Sequence, residues 1–284
     1  MSSAGYAMGR QSAFKVAMTH GVLLVFAAFS LVPIVVTILT AFKSQDEATR
    51  SIFTLPSQWR WENFAQAFSV GALGTGFINS AVLVVGSVIC VVIVASLAAY
   101  ALARLPLPGG SKFILYLLVG NSLPLQMFLV PLFFTWTRLG LYDTHVGLIL
   151  IYAAVNAPFA TLLLRSFMVG IPRDYEDAAR IDGATELRVA LSVTFPLVRS
   201  GIITIALTTG LAVYNEFLLA LLFLPSPEFM PLAPGLFNFR TGFTENLPLQ
   251  AAASLTMIAP MAFAFLLFQK KFVSGMTATG LGGT

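Results

Sequence analysis

Apolar residues run along the chain in long blocks, and the polar residues gather between them. Six blocks approach the roughly 20 residues an α-helix needs to cross a bilayer core. They are about Gly21–Ala41, Ala81–Ala103, Phe113–Phe134, Val146–Leu164, Ile202–Leu224 and Ala251–Phe268. The pattern predicts an all-α fold, a polytopic membrane bundle of six transmembrane helices forming one domain over residues 1–284. Pro124, Pro131, Pro158 and Pro260 fall within or near span interiors and predict kinks or broken hydrogen-bond ladders. One run stands apart from the greasy blocks: Ile171–Arg188 carries eight of the chain's 28 charged residues.

Composition agrees with a membrane protein. The 284 residues are 57% hydrophobic and only 10% charged, against roughly a quarter charged in a soluble domain, and the mean hydropathy is +0.86. A formal charge of +4 does not point to nucleic acid, because the basic residues lie between apolar runs instead of clustering on a soluble surface. They orient the helices. Arg10, Lys15, Arg104, Lys112, Arg165, Arg173, Arg180, Arg188, Arg199, Lys270 and Lys271 fall on one side, and Lys43, Arg50, Arg60, Arg138 and Arg240 on the other. That imbalance places both termini in the cytoplasm, and with them the charged run between the fourth and fifth spans. The first apolar block is too long for a signal peptide and lacks a small-residue cleavage site, so it reads as a retained span. The single cysteine, Cys90, rules out a disulfide framework or a cysteine metal site within the chain. Two outer loops, about Lys43–Ser80 with Trp59 and Trp61 and about Pro225–Gln250, are long enough to receive another protein.

Catalytic chemistry is poorly represented. Ser122 with His145 is the one serine–histidine pair to weigh; no nucleophile motif frames the serine, and there is no H-E-x-x-H. Polar residues within spans, with Asn79 just before the second, are more informative: Asn79, Asn121, Ser122, Gln126, Tyr152, Asn156, Tyr214, Asn215 and Glu216. Each has two readings, an interhelical hydrogen bond worth about 0.6 kcal/mol or a wetted path for a polar solute. Asn121, Gln126, Asn156, Tyr214, Asn215 and Glu216 are the candidates for a substrate path or subunit interface. A carboxylate deep in a span costs on the order of 2.5–3.5 kcal/mol, so Glu216 is expected to face protein or a cavity.

The charged run predicts a helix, a turn and a second helix beneath the bilayer. Pro172 suits a first helical turn, and Asp174, Glu176 and Asp177 place negative charge at the positive end of the helix dipole. Ala178 and Ala179 allow close approach of a partner, and Gly183 can take the left-handed conformation that ends a helix. Thr185–Thr194 forms the returning helix, with Pro196 marking its end. Tyr175, Ala178, Ala179 and Ile181 give the first helix apolar material to bury against something outside the membrane.

This segment, about residues 171–200, resembles the EAA loop of ABC importer permeases. The motif's Glu-Ala-Ala-x-x-x-Gly stands here as Asp177-Ala178-Ala179-Arg180-Ile181-Asp182-Gly183, with Glu176 just ahead of it. Gly140–Thr144 with Gly147–Leu150, Asn215–Leu221 and Phe268–Gly275 extend the likeness, which is nearest to the carbohydrate branch and its maltose-transporter type with six spans. Asp177 in place of glutamate keeps the charge; Tyr214, Ser200 and a lysine-free tail from Met276 depart from the pattern. The resemblance implies a type I importer permease in the bacterial inner membrane, with Asp174, Tyr175, Glu176, Asp177, Ala178, Ala179, Arg180, Asp182 and Gly183 as the ATPase-coupling residues. It implies four kinds of partner: a second homologous permease, two cytoplasmic ATPase subunits, an extracytoplasmic solute-binding protein and the lipid bilayer. No cofactor is expected on this chain; ATP and Mg belong to the ATPase, since no G-x-x-x-x-G-K-[ST] loop occurs here. The solute expected is a sugar or oligosaccharide. A polyol, glycerol phosphate or polyamine permease, and an intramembrane enzyme or channel, are the alternatives.

Overall fold

The computed structural model describes residues 13–241 and 244–280; Arg10 and the last four residues of the tail lie outside them. The helices are α1 (Ala13–Ala41), α2 (Gln45–Arg50), α3 (Glu62–Val70), α4 (Leu73–Arg104), α5 (Gly110–Ser122), α6 (Leu129–Arg138), α7 (His145–Val169), α8 (Asp174–Ile181), α9 (Glu186–Val189), α10 (Phe195–Leu197), α11 (Arg199–Asn215), α12 (Leu218–Phe223), α13 (Leu232–Gly235) and α14 (Leu247–Gly280). A 3₁₀ turn precedes α6, a π-turn (Ala190–Thr194) joins α9 to α10, and the only strands among the described residues are a two-residue antiparallel ladder, Arg240–Thr241 with Thr244–Glu245. The fold is otherwise all-helical, as the block pattern predicts.

Two compact units divide the chain, one built on Phe68–Asn238 with the stretch from Met257, the other on the residues up to Ala67 with Phe239–Thr256. In the first, α4, α7 and α11 pack on one another. One cluster buries Val91, Ala95 and Ala99 of α4 with Leu164 and Met168 of α7 and Ile205 of α11. A second, nearer the start of α7, gathers Leu83, Leu148, Ile151, Val213 and Phe223. Small residues let the backbones approach: a β-carbon on Gly201 would come within 3.0 Å of Leu164 and Phe167 side-chain atoms.

In the second unit the apolar flank of α1 is exposed along Met18–Val35. After α1, Lys43 is fully buried, and its ammonium donates to the carbonyls of Ser51 (2.9 Å) and Ile52 (3.1 Å) and to Thr54 Oγ1 (3.3 Å). Ser44 and Glu47 form a reciprocal capping box at the start of α2, and the Asn63 side-chain amide donates to the carbonyls of Ala41 and Lys43. This loop is therefore built by hydrogen bonds to the backbone, a use of Lys43 that counting charges by side does not anticipate.

The spans differ from the predicted blocks in continuity. Met18–Ala41, Leu73–Arg104 and His145–Val169 are single helices long and apolar enough to cross a membrane. The third block is broken: α5 and the following helical segment meet at 91°, because Leu123, held extended before Pro124, leaves the helical region. Pro131 falls in the first turn of α6, where its missing N–H breaks no bond. Pro158 and Pro260 stay inside α7 and α14, as Pro33 does in α1. The fifth block is broken as well, α11 ending at Asn215 and α12 starting at Leu218, so Glu216 does not sit within a continuous helix. The apolar part of α14, Leu247–Phe263, is shorter than those three single helices.

Candidate functional site

The charged run folds as a helix–turn–helix with two adjustments to the expected boundaries. Pro172 lies outside α8, which begins at Asp174. The returning helix passes through Pro196 to Leu197 by way of the π-turn, and the chain turns 79° at Val198 before α11. Asp174, Glu176 and Asp177 occupy the first turn of α8 and Arg180 the last, an arrangement that favours both ends of its dipole. Gly183 ends it at φ +83°, the left-handed conformation that favours glycine.

Within α8 the expected coupling residues separate by face. Glu176 is buried, its side chain 1% exposed, and accepts from Arg104 Nε on α4 at 2.7 Å. Thr194 Oγ1 donates to the same Oε1 at 2.9 Å, and Arg104 Nη2 donates to the Ile171 carbonyl at 3.1 Å. Arg180 pairs with Asp177 (2.6 Å) and with Glu186 (2.8 Å). Glu186 also accepts from the Tyr100 hydroxyl at 2.7 Å, and the Arg180 guanidinium, then that hydroxyl, hold its carboxyl down at about 2. The same partners push Arg180 upward, the Glu186 hydrogen bond first. The opposite face is open: Asp174, Tyr175, Ala178, Ile181, Asp182 and Gly183 are exposed, Ile181 to 87%, and Ala179 is half-buried.

The residues expected along a substrate path take several roles. Asn121 and Gln126 lie exposed on either side of the bend after α5. Asn156 and Asn215 each donate to a carbonyl of their own helix, those of Tyr152 and Leu211. The Tyr214 hydroxyl donates to the Met257 carbonyl on α14 at 2.7 Å. Glu216 stands at the break in the fifth block and accepts from the backbone N–H of Leu219 (2.9 Å) and Ala220 (3.1 Å), so it caps α12. Its Oε2 also accepts from the buried Tyr152 hydroxyl at 2.9 Å. These contacts satisfy donors freed where the helix stops.

Segments around Gly140 and Asn79 also hold the chain to itself. Gly140 and Asp143 both have positive φ. The Asp143 carboxylate accepts from Ser226 Oγ at 2.5 Å and the Ser226 N–H at 3.3 Å, while its own N–H donates to the Phe223 carbonyl at 3.0 Å. Asn79 of α4 donates to the carbonyls of Glu228 and Met230.

Residues 110–277 match the family model of the binding-protein-dependent transport system inner membrane component. The chain belongs to that family. The matched region starts at α5 and takes in α8, its turn, the Glu216 break and most of α14. Relatives are similar over nearly the whole length. The diacetylchitobiose uptake system permease protein of Streptomyces coelicolor is 32% identical over 93% of this chain and 88% of that one. The sulfoquinovosyl glycerol transport system permease protein of Agrobacterium fabrum is 35% identical over 89% of each. The melibiose/raffinose/stachyose import permease protein of Bacillus subtilis is 30% identical over 91% of this chain and 94% of its own. Among solved structures, a bacterial ABC transporter involved in the import of the acidic polysaccharide alginate has the same fold: TM-score 0.81 and 22% identity, over 93% of this chain and 98% of that chain.

As an inner-membrane component of this family, the chain is a transport subunit and not a catalytic enzyme. Sequence reasoning missed Arg104, which enters it only as one of the charges that orient the helices. It gave Tyr100 and Glu186 no role of their own and used Thr194 only as the end of the returning helix. The available signal was spacing: Tyr100 and Arg104 are four apart at the end of an apolar run, and so share one helix face.

Proposed function

We propose that this permease is one membrane half of an ATP-driven importer that moves a sugar or oligosaccharide. The substrate class is supported by the relatives, whose names specify diacetylchitobiose, sulfoquinovosyl glycerol and melibiose, raffinose and stachyose. The observation that carries the mechanism is α8: one face is locked by buried Glu176, while Tyr175, Ala178 and Ile181 on the other are exposed. That is a shape for docking on a separate ATPase. Six spans cross the membrane, counting the two broken ones and the apolar part of α14, and both termini are cytoplasmic. The remaining partners are a homologous permease, a second ATPase subunit and an extracytoplasmic binding protein; ATP and Mg sit on the ATPases.

ATP-driven closure of the ATPases draws the cytoplasmic ends of the spans together and opens the outer side, where the binding protein delivers the solute. Hydrolysis resets the inward-facing state. Moving a two-state equilibrium from 1:99 to 99:1 takes about 5.5 kcal/mol, and burying one side chain such as Ile181 supplies ~1.5–3 kcal/mol. The loop must therefore act as one rigid lever. The test is uptake by the reconstituted complex in proteoliposomes, with labelled oligosaccharide and the cognate binding protein. Asp177→Lys, which reverses a charge beside Arg180, and Gly183→Val, which strains the left-handed turn, are expected to insert normally and to uncouple hydrolysis from uptake. Normal transport in both variants would overturn the reading.

A further inference from the structure

The lever needs a fixed point, and the buried network supplies one. Arg104 is the last residue of α4, its side chain only 3% exposed. It reaches the coupling segment at two places, the Glu176 carboxylate and the Ile171 carbonyl. One turn earlier on the same face, Tyr100 holds Glu186 on the returning helix. Arg180 then joins α8 to that helix through Glu186. Both arms of the loop are thereby tied to a single membrane helix, and α4 is the helix on which α7 and α11 pack.

A buried ion pair is weak support for stability, since apolar groups of similar volume often do as well. Its particular contribution here is direction. Glu176 Oε1 accepts from both Arg104 and Thr194, so sliding α8 by one position along α4 would break both bonds together with the tie to Ile171. Glu176 Oε2 has no hydrogen-bond partner and lies 3.9 Å from Arg180 Nη2, so the carboxylate depends on its other oxygen for attachment. Apolar packing of Ala and Leu side chains offers no such registration.

We propose that Arg104 is a positioning residue for coupling: through Glu176 it fastens α8 to the end of α4, so that a displacement imposed on α8 is delivered to α4 and the helices packed on it. The proposal rests on the reading of α8 as the ATPase-facing element, and it adds which membrane helix receives the motion and through which side chain.

The experiment uses the assembled complex in proteoliposomes and measures ATP hydrolysis, uptake and ATPase co-purification side by side. Arg104→Gln is expected to keep the ATPase bound and hydrolysing while uptake per ATP falls about tenfold. The charge exchange Arg104→Glu with Glu176→Arg is expected to recover most of that loss. Thr194→Val, which removes one hydrogen bond to Glu176 and keeps both charges, is expected to lower the ratio about twofold, and it serves if the Arg104→Gln permease fails to fold. Spin labels on Leu97→Cys in α4 and Arg173→Cys at the start of α8, with Cys90→Ala, are expected to give one narrow distance in both nucleotide states, and a broad one after Arg104→Gln. An unchanged uptake-to-hydrolysis ratio in Arg104→Gln, or in Thr194→Val where Arg104→Gln does not fold, would overturn the proposal. So would loss of ATPase binding by a folded Arg104→Gln permease, since the pair would then build the docking surface instead of transmitting from it. If the unaltered complex shows no ATP-driven uptake, the importer reading itself fails, a separate result.

Discussion

A β-carbon added at Gly147 would collide with the Leu141 carbonyl, and Thr144 Oγ1 would stand 3.0 Å away. The site is crowded because the turn into α7 folds tightly: Thr144 Oγ1 accepts from the Gly147 N–H, and Trp136 Nε1 donates to the Gly147 carbonyl at 2.9 Å. Gly147→Ala is therefore expected to cost about 1–3 kcal/mol. Gly120, in α5, has nothing within 4 Å of the same position, so Gly120→Ala is expected to be neutral or to gain up to about 1 kcal/mol. Melting of the two variants in detergent measures the difference, and equal shifts would show that Gly147 is not pinned. Such crowding is hard to read from sequence, because it arises between a carbonyl and a helix start several residues apart. Gly183 was more legible. A glycine following a charged helix end predicts the left-handed cap that is present.

At the level of elements, the two broken spans show what periodicity conceals. Hydropathy integrates over a window and is blind to direction, so α5 and α6 read as one block despite the 91° bend. Pro124 signalled that break, since proline restricts the residue before it. Nothing as local announces the break at Glu216. There the side chain of an acid supplies the acceptors for α12, and the Tyr152 hydroxyl joins from another helix. Glu216→Ala removes the cap and the acceptor together and is expected to lower stability by about 1–3 kcal/mol. Tyr152→Phe removes only one hydrogen bond and is expected to cost ~0.5–1.5 kcal/mol. If melting in detergent shows Tyr152→Phe to be the more damaging, the cap does not hold the break. The charged helix was visible from its acids, its alanines and Gly183; its buried face was not. Asp177 matches the motif's glutamate, yet Glu176 one residue earlier is the carboxylate that turns inward, a distinction that depends on where α4 ends.

For the whole molecule, the proposed topology puts α8 and the loop after α1 on opposite sides of the membrane. Both carry exposed residues suited to labelling, Ile181 at 87% and Leu55 at 74%. In a Cys90→Ala background, Ile181→Cys is expected to react with an impermeant maleimide only from the cytoplasm, and Leu55→Cys only from outside. Reaction of both from one side would overturn the six-span arrangement. The all-helical build was legible because lipid demands long apolar runs; packing was not, since α4, α7 and α11 meet through small residues that hydropathy does not weigh. The ion pair of Arg104 with Glu176 joins positions 72 residues apart in the chain. At about 5–20 residues per second of synthesis, Arg104 waits roughly 4–14 s for its carboxylate to be made. When that interval opens α4 is complete, and α5, α6 and α7 are made before the Glu176 carboxylate is. Closure of the pair thus marks a late step in biogenesis, and a nascent chain cut short before Glu176 presents its arginine unpaired at the membrane surface.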